Sequence, residues 1–280
     1  MARRARPELA AGACGRAGRS PRVHIESVAV TTVLLVRHGL TTLTGPVLAG
    51  WTPGVQLDER GRAQARDLAA RLAPVPLSAI VTSPLERCVQ TATAIASERD
   101  GNVPTAVHTD EQLGECRYGD WTGKPIKKLT RDPLWRVVQS HPSGARFPGR
   151  HGEALAGMQH RAVSAVRGWN DRLGPDACYL ICSHGDVIKA VVADSLGLHL
   201  DQFQRIQVDP CSLTVIRYTE TRPFLLRLND TGGVSDLVRA GGKREARGRR
   251  WARARRRRGS AGPGDAVVGG GAGAAQDRRG

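Results

Sequence analysis

The chain has 280 residues, enough for one large domain or two small ones, and a formal net charge of +16. It shows no apolar run long enough to cross a membrane, no secretory signal pattern and no Cys-x-x-Cys pair among its six cysteines. These features argue against a membrane-spanning protein, a secreted disulfide-rich domain and a zinc ribbon, and they predict a cytoplasmic protein without a bound metal. The Arg-rich N-terminus leaves an organelle transit peptide as an alternative.

The positive charge is concentrated at the two ends of the chain. Residues 1–29 contain six Arg against two Glu, and residues 239–280 contain thirteen Lys or Arg against three acidic residues. The stretch between them has 23 basic and 21 acidic residues, so it is nearly neutral. Because both ends lack hydrophobic periodicity, we predict disordered extensions at residues 1–27 and 233–280 that flank one folded domain at residues 28–232.

The folded stretch begins with an apolar, β-branched run that predicts a buried strand over residues 28–36. After a long loop, Asp58 is the expected N-cap of a helix whose apolar residues recur at helical spacing. Residues 77–82 are the second predicted strand. Ser83 followed by Pro84 is typical of a capping hydroxyl and a proline in the first turn of a helix.

The rest of this stretch predicts alternating helices and strands. They are a weak strand before His108, a helix over 126–140 broken near Pro133, a helix over 153–173, a strand over 178–182, a helix over 186–196 that Asp186 caps, and a hairpin over 213–218 and 224–228. Strands that alternate with helices predict an α/β fold. We expect a three-layer α/β/α sandwich with a mostly parallel central sheet and the hairpin at its edge.

Four short motifs fit a single pocket at the carboxyl ends of the predicted strands, where ligands of open α/β sheets bind. They are Arg37-His38-Gly39, Ser83-Pro84-Leu85-Glu86-Arg87, Leu113-Gly114-Glu115 and Ser183-His184-Gly185. Together they supply two Arg, two His and a carboxyl group. Arg binds phosphoryl oxygens in bidentate fashion, neutral His can attack phosphorus and a carboxylic acid can protonate the leaving oxygen, so the set suits phosphoryl transfer.

The four motifs, in this order, resemble the histidine phosphatase superfamily, the phosphoglycerate mutase-like proteins, and especially its small actinobacterial members. The resemblance covers residues 31–230 and implies the phosphoglycerate mutase-like fold. It implies three catalytic residues: His38 as the residue that is phosphorylated, Glu115 as the general acid and His184 as the second pocket histidine.

The resemblance also implies the residues that bind the phosphoryl group. Arg37 and Arg87 match the two phosphate arginines, and Thr41 follows the signature as in many members. Thr44 stands where many relatives have Asn, and its hydroxyl can still donate one hydrogen bond. The resemblance implies no metal and no cofactor, with a small phosphorylated molecule as the partner.

The stretch after Glu115 bears on two activities of that family. It reads Tyr118-Gly119-Asp120-Trp121-Thr122-Gly123, which is closer to the phosphatase members than to the glycolytic mutases. The resemblance therefore favours a phosphomonoester hydrolase over a phosphoglycerate mutase-type phosphotransferase. Trp51 and Trp121 lie in Gly-rich loops, and each either packs its loop or lines a substrate cleft.

The basic C-terminal stretch raises an alternative of another class, a module that binds nucleic acid or an anionic surface through residues 239–280. Trp251 is the one aromatic residue there that can stack on a base. All four pocket motifs are intact as well. We therefore expect any such contact to be weak and to accompany an enzymatic domain.

Overall fold

The computed structural model describes residues 30–99, 106–232 and residue 269. The predicted disordered extensions at 1–27 and 233–280 lie outside the described residues, apart from Gly269. Strands and helices alternate along the described chain: β1 Val30–Arg37, α1 Glu59–Leu72, β2 Ile80–Thr82, α2 Glu86–Ser97, β3 Val107–Thr109, α3 Ile126–Leu129, α4 Pro133–Ser140, α5 Leu155–Leu173, β4 Cys178–Ser183, α6 Gly185–Ser195, β5 Leu213–Thr219 and β6 Pro223–Asp230. No helix of this part of the chain is both long enough and apolar enough to span a bilayer.

The strands of the described chain form one mixed sheet in the order β3-β2-β4-β1-β5-β6. β3, β2, β4 and β1 are parallel to one another, and β5 and β6 form an antiparallel hairpin at the edge. The predicted mostly parallel sheet with an edge hairpin is confirmed.

Helices cover both faces of the sheet, so the predicted three-layer arrangement is confirmed as well. On β1, Val33 and Leu35 point into a core shared with α5 and α6, whereas Leu34 and Val36 point into a core shared with α1 and α2. Successive side chains of a strand point to opposite faces. Burial on both faces explains why the strand is a continuous apolar run rather than an alternating one.

Two of the predicted helix caps are wrong and one is confirmed. Asp58 caps α1, because its carboxylate accepts a hydrogen bond from the backbone N–H of Gly61 at 2.8 Å. Ser83 is not the cap of α2, which begins three residues later and has Leu85 at its N-cap position. Asp186 is not the cap of α6, whose N-cap position is held by His184. Both side chains have partners within the pocket instead.

The strand register places the predicted motifs side by side. Arg37 at the end of β1 pairs with Ser183 at the end of β4, and Thr82 at the end of β2 pairs with Cys182. The residues that directly follow these three parallel strands therefore lie side by side at the carboxyl ends of the strands.

The loop after β1 packs directly on the backbone of α1. A Cβ atom at Gly61 would lie 2.0 Å from the carbonyl oxygen of Leu40, and one at Gly39 would lie 2.6 Å from the carbonyl oxygen of Gly61. Neither neighbour is a side chain that can turn away. Two glycines thus allow the loop after β1 and the first helix to approach closely.

We predict that Gly61→Ala lowers the free energy of unfolding by about 1–3 kcal/mol, because the new methyl group must displace backbone. The matched control is Gly168→Ala in α5, where a Cβ atom meets nothing within 4 Å. That control should raise the stability by up to about 1 kcal/mol through helix propensity. Urea unfolding measures both variants, and equal effects of the two substitutions would contradict the close approach.

Candidate active site

Side chains of three of the four sequence motifs line one pocket at the carboxyl ends of β1, β2 and β4, and the fourth motif contributes a histidine behind that lining. Seven of the residues that line it have side chains that can contact a ligand: Arg37, His38, Thr41, Thr44, Arg87, Glu115 and Tyr118. His184 lies beneath this lining and is fully buried, with its ring centroid 5.2 Å from that of His38. Gly269 also lines the pocket, and the space left beside it is about 30 Å³, room for about one or two water molecules.

His38 is held in one tautomer by its own loop. Its Nδ1 lies 2.7 Å from the carbonyl oxygen of Gly39, so Nδ1 carries the proton and donates it to that oxygen. The Nε of Arg87 donates a hydrogen bond to Nε2 at 3.2 Å. An arginine has no acceptor to offer, so Nε2 carries no proton and its lone pair accepts this bond.

Burial keeps the His38 ring neutral. Loss of hydration lowers its pKa well below the ordinary value, and the charges of Arg87 and Arg37 lower it further, while the bond to Gly39 acts weakly in the opposite direction. A neutral imidazole with a lone pair on Nε2 is the nucleophilic form of histidine.

Arg87 connects both histidines. Its Nη2 donates to the carbonyl oxygen of Gly50 at 2.8 Å and lies 3.3 Å from Nδ1 of His184. Its Nη1 is buried and has no hydrogen-bond partner among the described residues. The guanidinium therefore keeps one donor available for an anion in the pocket.

His184 is a neutral ring that carries its proton on Nε2, whereas His38 carries its proton on Nδ1. Because Arg87 donates to Nδ1, the proton lies on Nε2, which is 2.8 Å from the hydroxyl oxygen of Ser83. Burial lowers the pKa of His184 well below its ordinary value, and Arg87 and His38 add to that effect. The hydroxyl oxygen of Ser83 accepts the hydrogen bond from this Nε2–H, which is the role it takes instead of capping α2.

Arg37 extends from β1 beneath the pocket. Its Nη1 donates to the carbonyl oxygen of Val208 at 2.8 Å, and its Nη2 donates to the carbonyl oxygen of Gly269 at 3.3 Å. The side chain is 1% exposed. A cation fixed by backbone carbonyls in this way is positioned before any ligand arrives.

Glu115 is the acidic group of the pocket, and its pKa is raised to about 7. Burial is the main cause, since it penalises the charged carboxylate, and the nearby charge of Asp186 raises the pKa further. The charge of Arg87 and the backbone N–H of Cys116, which bonds Oε1 at 2.9 Å, partly offset these effects. Glu115 Oε2 lies 3.8 Å from Nδ1 of His184.

A second arginine network holds the loop that carries Glu115. Arg161 of α5 donates to the carbonyl oxygens of Gly114 at 2.9 Å and Glu115 at 3.0 Å, and it forms a 2.7 Å ion pair with Glu153. The indole N–H of Trp51 donates to the same Glu115 carbonyl oxygen. Sequence reasoning missed this support, because the contributing residues lie far apart in the chain and belong to no motif.

Thr41 and Thr44 face each other at the mouth of the pocket. Their hydroxyl oxygens are 2.9 Å apart, and the Thr44 hydroxyl also accepts from the backbone N–H of Thr41 at 3.0 Å. Both residues are buried. The Thr44 hydroxyl is therefore engaged within the loop, and the Thr41 hydroxyl is the one that this pair can turn toward a ligand.

Two aromatic residues of the flanking loops differ in their surroundings. Trp121 is 1% exposed and packs on Trp135 and Phe147, so it belongs to the core and does not line the cleft. Trp51 is half-buried and bonds the Glu115 loop while Arg117 stacks on its ring.

Tyr118 and Asp186 form a contact at the pocket that the motifs did not reveal. The Tyr118 hydroxyl donates to Oδ2 of Asp186 at 2.9 Å, and both residues are fully buried.

Among the described residues, no three His, Cys, Asp or Glu side chains are grouped as ligands for a metal ion.

Comparison with known proteins gives the pocket a family context. Residues 33–231 match the histidine phosphatase superfamily (branch 1). Phosphoserine phosphatase 1 of Hydrogenobacter thermophilus is 30% identical over 62% of this chain and 81% of its own. A protein of Yersinia enterocolitica named probable phosphoglycerate mutase GpmB is 30% identical over 69% of this chain and 87% of its own.

Solved structures are similar over the same region. YhfR of Bacillus stearothermophilus superimposes with a TM-score of 0.62 and 28% identity, covering 71% of this chain and 97% of that protein. A mycobacterial glucosyl-3-phosphoglycerate phosphatase superimposes with a TM-score of 0.63 and 24% identity. The match covers 72% of this chain and 99% of that protein, and it supports the fold alone.

The carbonyl oxygen of Gly269 accepts a hydrogen bond from Nη2 of Arg37 at 3.3 Å, so an anion that binds Arg37 would compete with this contact. Gly269 adopts φ +76°, and a Cβ atom there would lie 3.1 Å from Cδ1 of Leu48. We predict that Gly269→Val loosens this contact and tightens binding of inorganic phosphate about three- to tenfold, measured by calorimetry. Gly197→Val is the control, since Gly197 has φ +65° in open space. Unchanged or weaker phosphate binding by Gly269→Val would contradict the competition.

Proposed function

The chain belongs to branch 1 of the histidine phosphatase superfamily, and from that membership and the pocket geometry we propose that it hydrolyses the phosphomonoester of a small metabolite through a phosphohistidine intermediate. The proposed reaction uses no metal ion. The observation that carries the proposal is the unprotonated Nε2 of neutral His38, in a pocket that is also lined by two buried arginines and by a carboxyl group of pKa about 7.

In the proposed binding step, the phosphoryl oxygens take the donors of both arginines. Arg87 Nη1 is available for this, and the Nη2 of Arg37 exchanges the Gly269 carbonyl oxygen for a phosphoryl oxygen. Once Arg87 turns to the phosphoryl group, Nδ1 of His184 can take the proton and donate as well, while Ser83 donates to Nε2. Preorganised donors of this kind stabilise the charge that spreads over the oxygens in the transition state.

In the proposed transfer step, the Nε of Arg87 releases Nε2 of His38, and the freed lone pair forms a bond to phosphorus while the ester P–O bond breaks. The leaving oxygen takes the proton of Glu115, whose raised pKa keeps part of the population protonated near neutral pH. The ring now carries a positive charge, which the carbonyl oxygen of Gly39 stabilises through the Nδ1 proton.

In the proposed hydrolysis step, Glu115 acts as a base. Its carboxylate accepts a proton from a water molecule that attacks phosphorus, the P–N bond breaks and inorganic phosphate forms. His38 returns to the neutral tautomer with its proton still on Nδ1. The cycle ends with Glu115 protonated again.

A phosphotransferase that keeps the phosphoryl group is the second candidate, because one relative is named a probable phosphoglycerate mutase. The two functions share the first step and differ in whether water or a second substrate accepts the phosphoryl group. The nucleic-acid alternative depends on residues 239–280, which apart from Gly269 lie outside the described residues, and the relatives reported above give it no support.

We predict that His38→Ala lowers phosphate release at least about 10⁴-fold, because the nucleophile is lost. The measurement is phosphate release in EDTA from a panel of phosphomonoesters that includes O-phosphoserine and 3-phosphoglycerate with and without its bisphosphate. His160→Ala, an exposed position on α5, is the matched control and should match the wild type. Normal release by His38→Ala would contradict the mechanism, and isomerisation of phosphoglycerate without release would establish the second candidate.

A pH prediction follows from Glu115. Because the acid must be protonated to act, kcat/KM for alkyl phosphates should fall as the pH rises through about 7. Glu115→Gln should remove this dependence and lower the rate about 10²–10³-fold for alkyl esters, but far less for p-nitrophenyl phosphate, whose leaving group needs no proton.

The ratio of the two esters, compared between the wild type and Glu115→Gln, isolates the acid, since the titration of each substrate's phosphate is the same for both enzymes. Glu153→Gln, at the ion pair with Arg161, controls for a general loosening of the loop. An equal loss for both esters in Glu115→Gln would show that Glu115 is not the acid.

A further inference from the structure

One peptide unit holds the carboxyl group of the pocket in place. Oε1 of Glu115 accepts a hydrogen bond of 2.9 Å from the backbone N–H of the next residue, Cys116. The carbonyl group of Glu115 belongs to the same peptide unit. Because a trans peptide is planar, this carbonyl group and the N–H of Cys116 point in opposite directions and turn together. Any contact that fixes the carbonyl oxygen therefore also fixes the N–H group that holds the carboxyl group.

Two side chains donate hydrogen bonds to that carbonyl oxygen. Nη2 of Arg161 lies 3.0 Å from it, and the indole nitrogen of Trp51 lies 2.6 Å from it. A carbonyl oxygen has two lone pairs, so these two donors use its whole capacity. Neither Arg161 nor Trp51 is among the described residues that line the pocket. Their route to the chemistry runs through the peptide unit.

The guanidinium of Arg161 is fully engaged in this arrangement. Each of its five N–H donors has an acceptor, and these are the carbonyl oxygens of Gln112, Gly114 and Glu115 and the two carboxylate oxygens of Glu153. A planar fork with five donors serves all of them at once, whereas the ammonium group of a lysine has three donors. One side chain thus ties the segment that carries the acid to α5.

The ring of Trp51 reaches the carbonyl oxygen because residue 114 is a glycine. A Cβ atom at Gly114 would lie 2.3 Å from Cζ2 of Trp51. The guanidinium of Arg117 stacks on the same ring, 4.1 Å from its centroid. The indole is therefore held in the orientation in which its N–H donates to Glu115.

The hydrogen bond to Oε1 decides which oxygen of Glu115 carries the acidic proton. The carbonyl oxygen of a carboxylic acid accepts hydrogen bonds better than its hydroxyl oxygen does, so the oxygen bonded by Cys116 is the one without the proton. The proton then lies on Oε2, which is 3.8 Å from Nδ1 of His184. His184 donates to the phosphoryl group in the proposed binding step, so Oε2 is the oxygen on the phosphoryl side.

We propose that Arg161 and Trp51 are positioning residues for the acid step. Through the Glu115–Cys116 peptide they hold Oε1 on the backbone N–H and leave Oε2 to give its proton to the leaving oxygen. The inference rests on the proposed function and deepens it.

Two conservative variants test the proposal. Trp51→Phe keeps an aromatic ring and removes the N–H donor, and Arg161→Lys keeps the charge and removes the fork. We expect kcat/KM for an alkyl phosphate to fall about tenfold in Trp51→Phe and about tenfold to a hundredfold in Arg161→Lys, because a displaced acid protonates the leaving oxygen less often. For p-nitrophenyl phosphate, whose leaving group needs no proton, the loss should stay below about threefold.

The matched controls are Trp169→Phe and Arg167→Lys, both on α5. The indole N–H of Trp169 donates to Asp110, and Arg167 pairs with Asp194 at the surface. Both controls should keep the wild-type ratio of the two esters. An equal loss of both esters, or no loss of either, would overturn the positioning role of the residue that was changed, since a contact that only stabilises the fold does not distinguish leaving groups.

The backbone amide proton of Cys116 reports the same contact by NMR without turnover. In the wild type its resonance should move as the pH passes through about 7, because the N–H bonds the carboxyl group that ionises there. The movement should be smaller in Trp51→Phe and in Arg161→Lys, and an unchanged movement in both would overturn the proposal.

The two kinds of measurement separate this inference from the proposed function. A smaller movement in both variants, with no hydrolysis of any ester by the wild type, would overturn the hydrolase proposal and keep the hold on the carboxyl group. Hydrolysis by the wild type, with the ester ratio and the amide movement unchanged in both variants, would overturn the inference and keep the hydrolase.

Discussion

The hydrogen bonds of Arg87 are the constraint on which the rest of the pocket depends. One guanidinium donates to Nε2 of His38, to Nδ1 of His184 and to the carbonyl oxygen of Gly50. Because arginine only donates, it leaves an unprotonated nitrogen on each ring facing it, and its charge helps to keep both rings neutral. A lysine has neither the planar fork nor the reach to serve three acceptors in this way.

The sheet supplies the positions from which those bonds are made. β2, β4 and β1 are neighbouring parallel strands, so the residues that follow them converge at one edge. Burial of these residues shifts their pKa values in opposite directions. It lowers the pKa of both histidines and raises the pKa of Glu115. His38 is thereby kept deprotonated at Nε2, while part of the Glu115 population keeps its proton near neutral pH.

Sequence reasoning predicted what depends on local pattern and missed what depends on distant partners. The α/β architecture, the edge hairpin and the Asp58 cap followed from periodicity and local chemistry, and the four motifs do meet in one pocket. Ser83 and Asp186 were interpreted as helix caps because each stands at the start of a helix. Their partners, His184 and Tyr118, are 101 and 68 residues away in the chain, and only the folded arrangement reveals them. The contact of Gly269 with Arg37 spans 232 residues and has no local signal at all.

The most direct test of this account is to identify the phosphorylated atom. Rapid acid-free quenching of the enzyme with a ³²P-labelled phosphomonoester, followed by peptide mapping, should give a base-stable, acid-labile label on the peptide that contains His38. Phosphorus NMR of the denatured protein should place the phosphoryl group on Nε2, the nitrogen without a proton, because the Gly39 hydrogen bond holds the proton on Nδ1. A label on Nδ1, on another residue or on none during turnover would contradict the central claim.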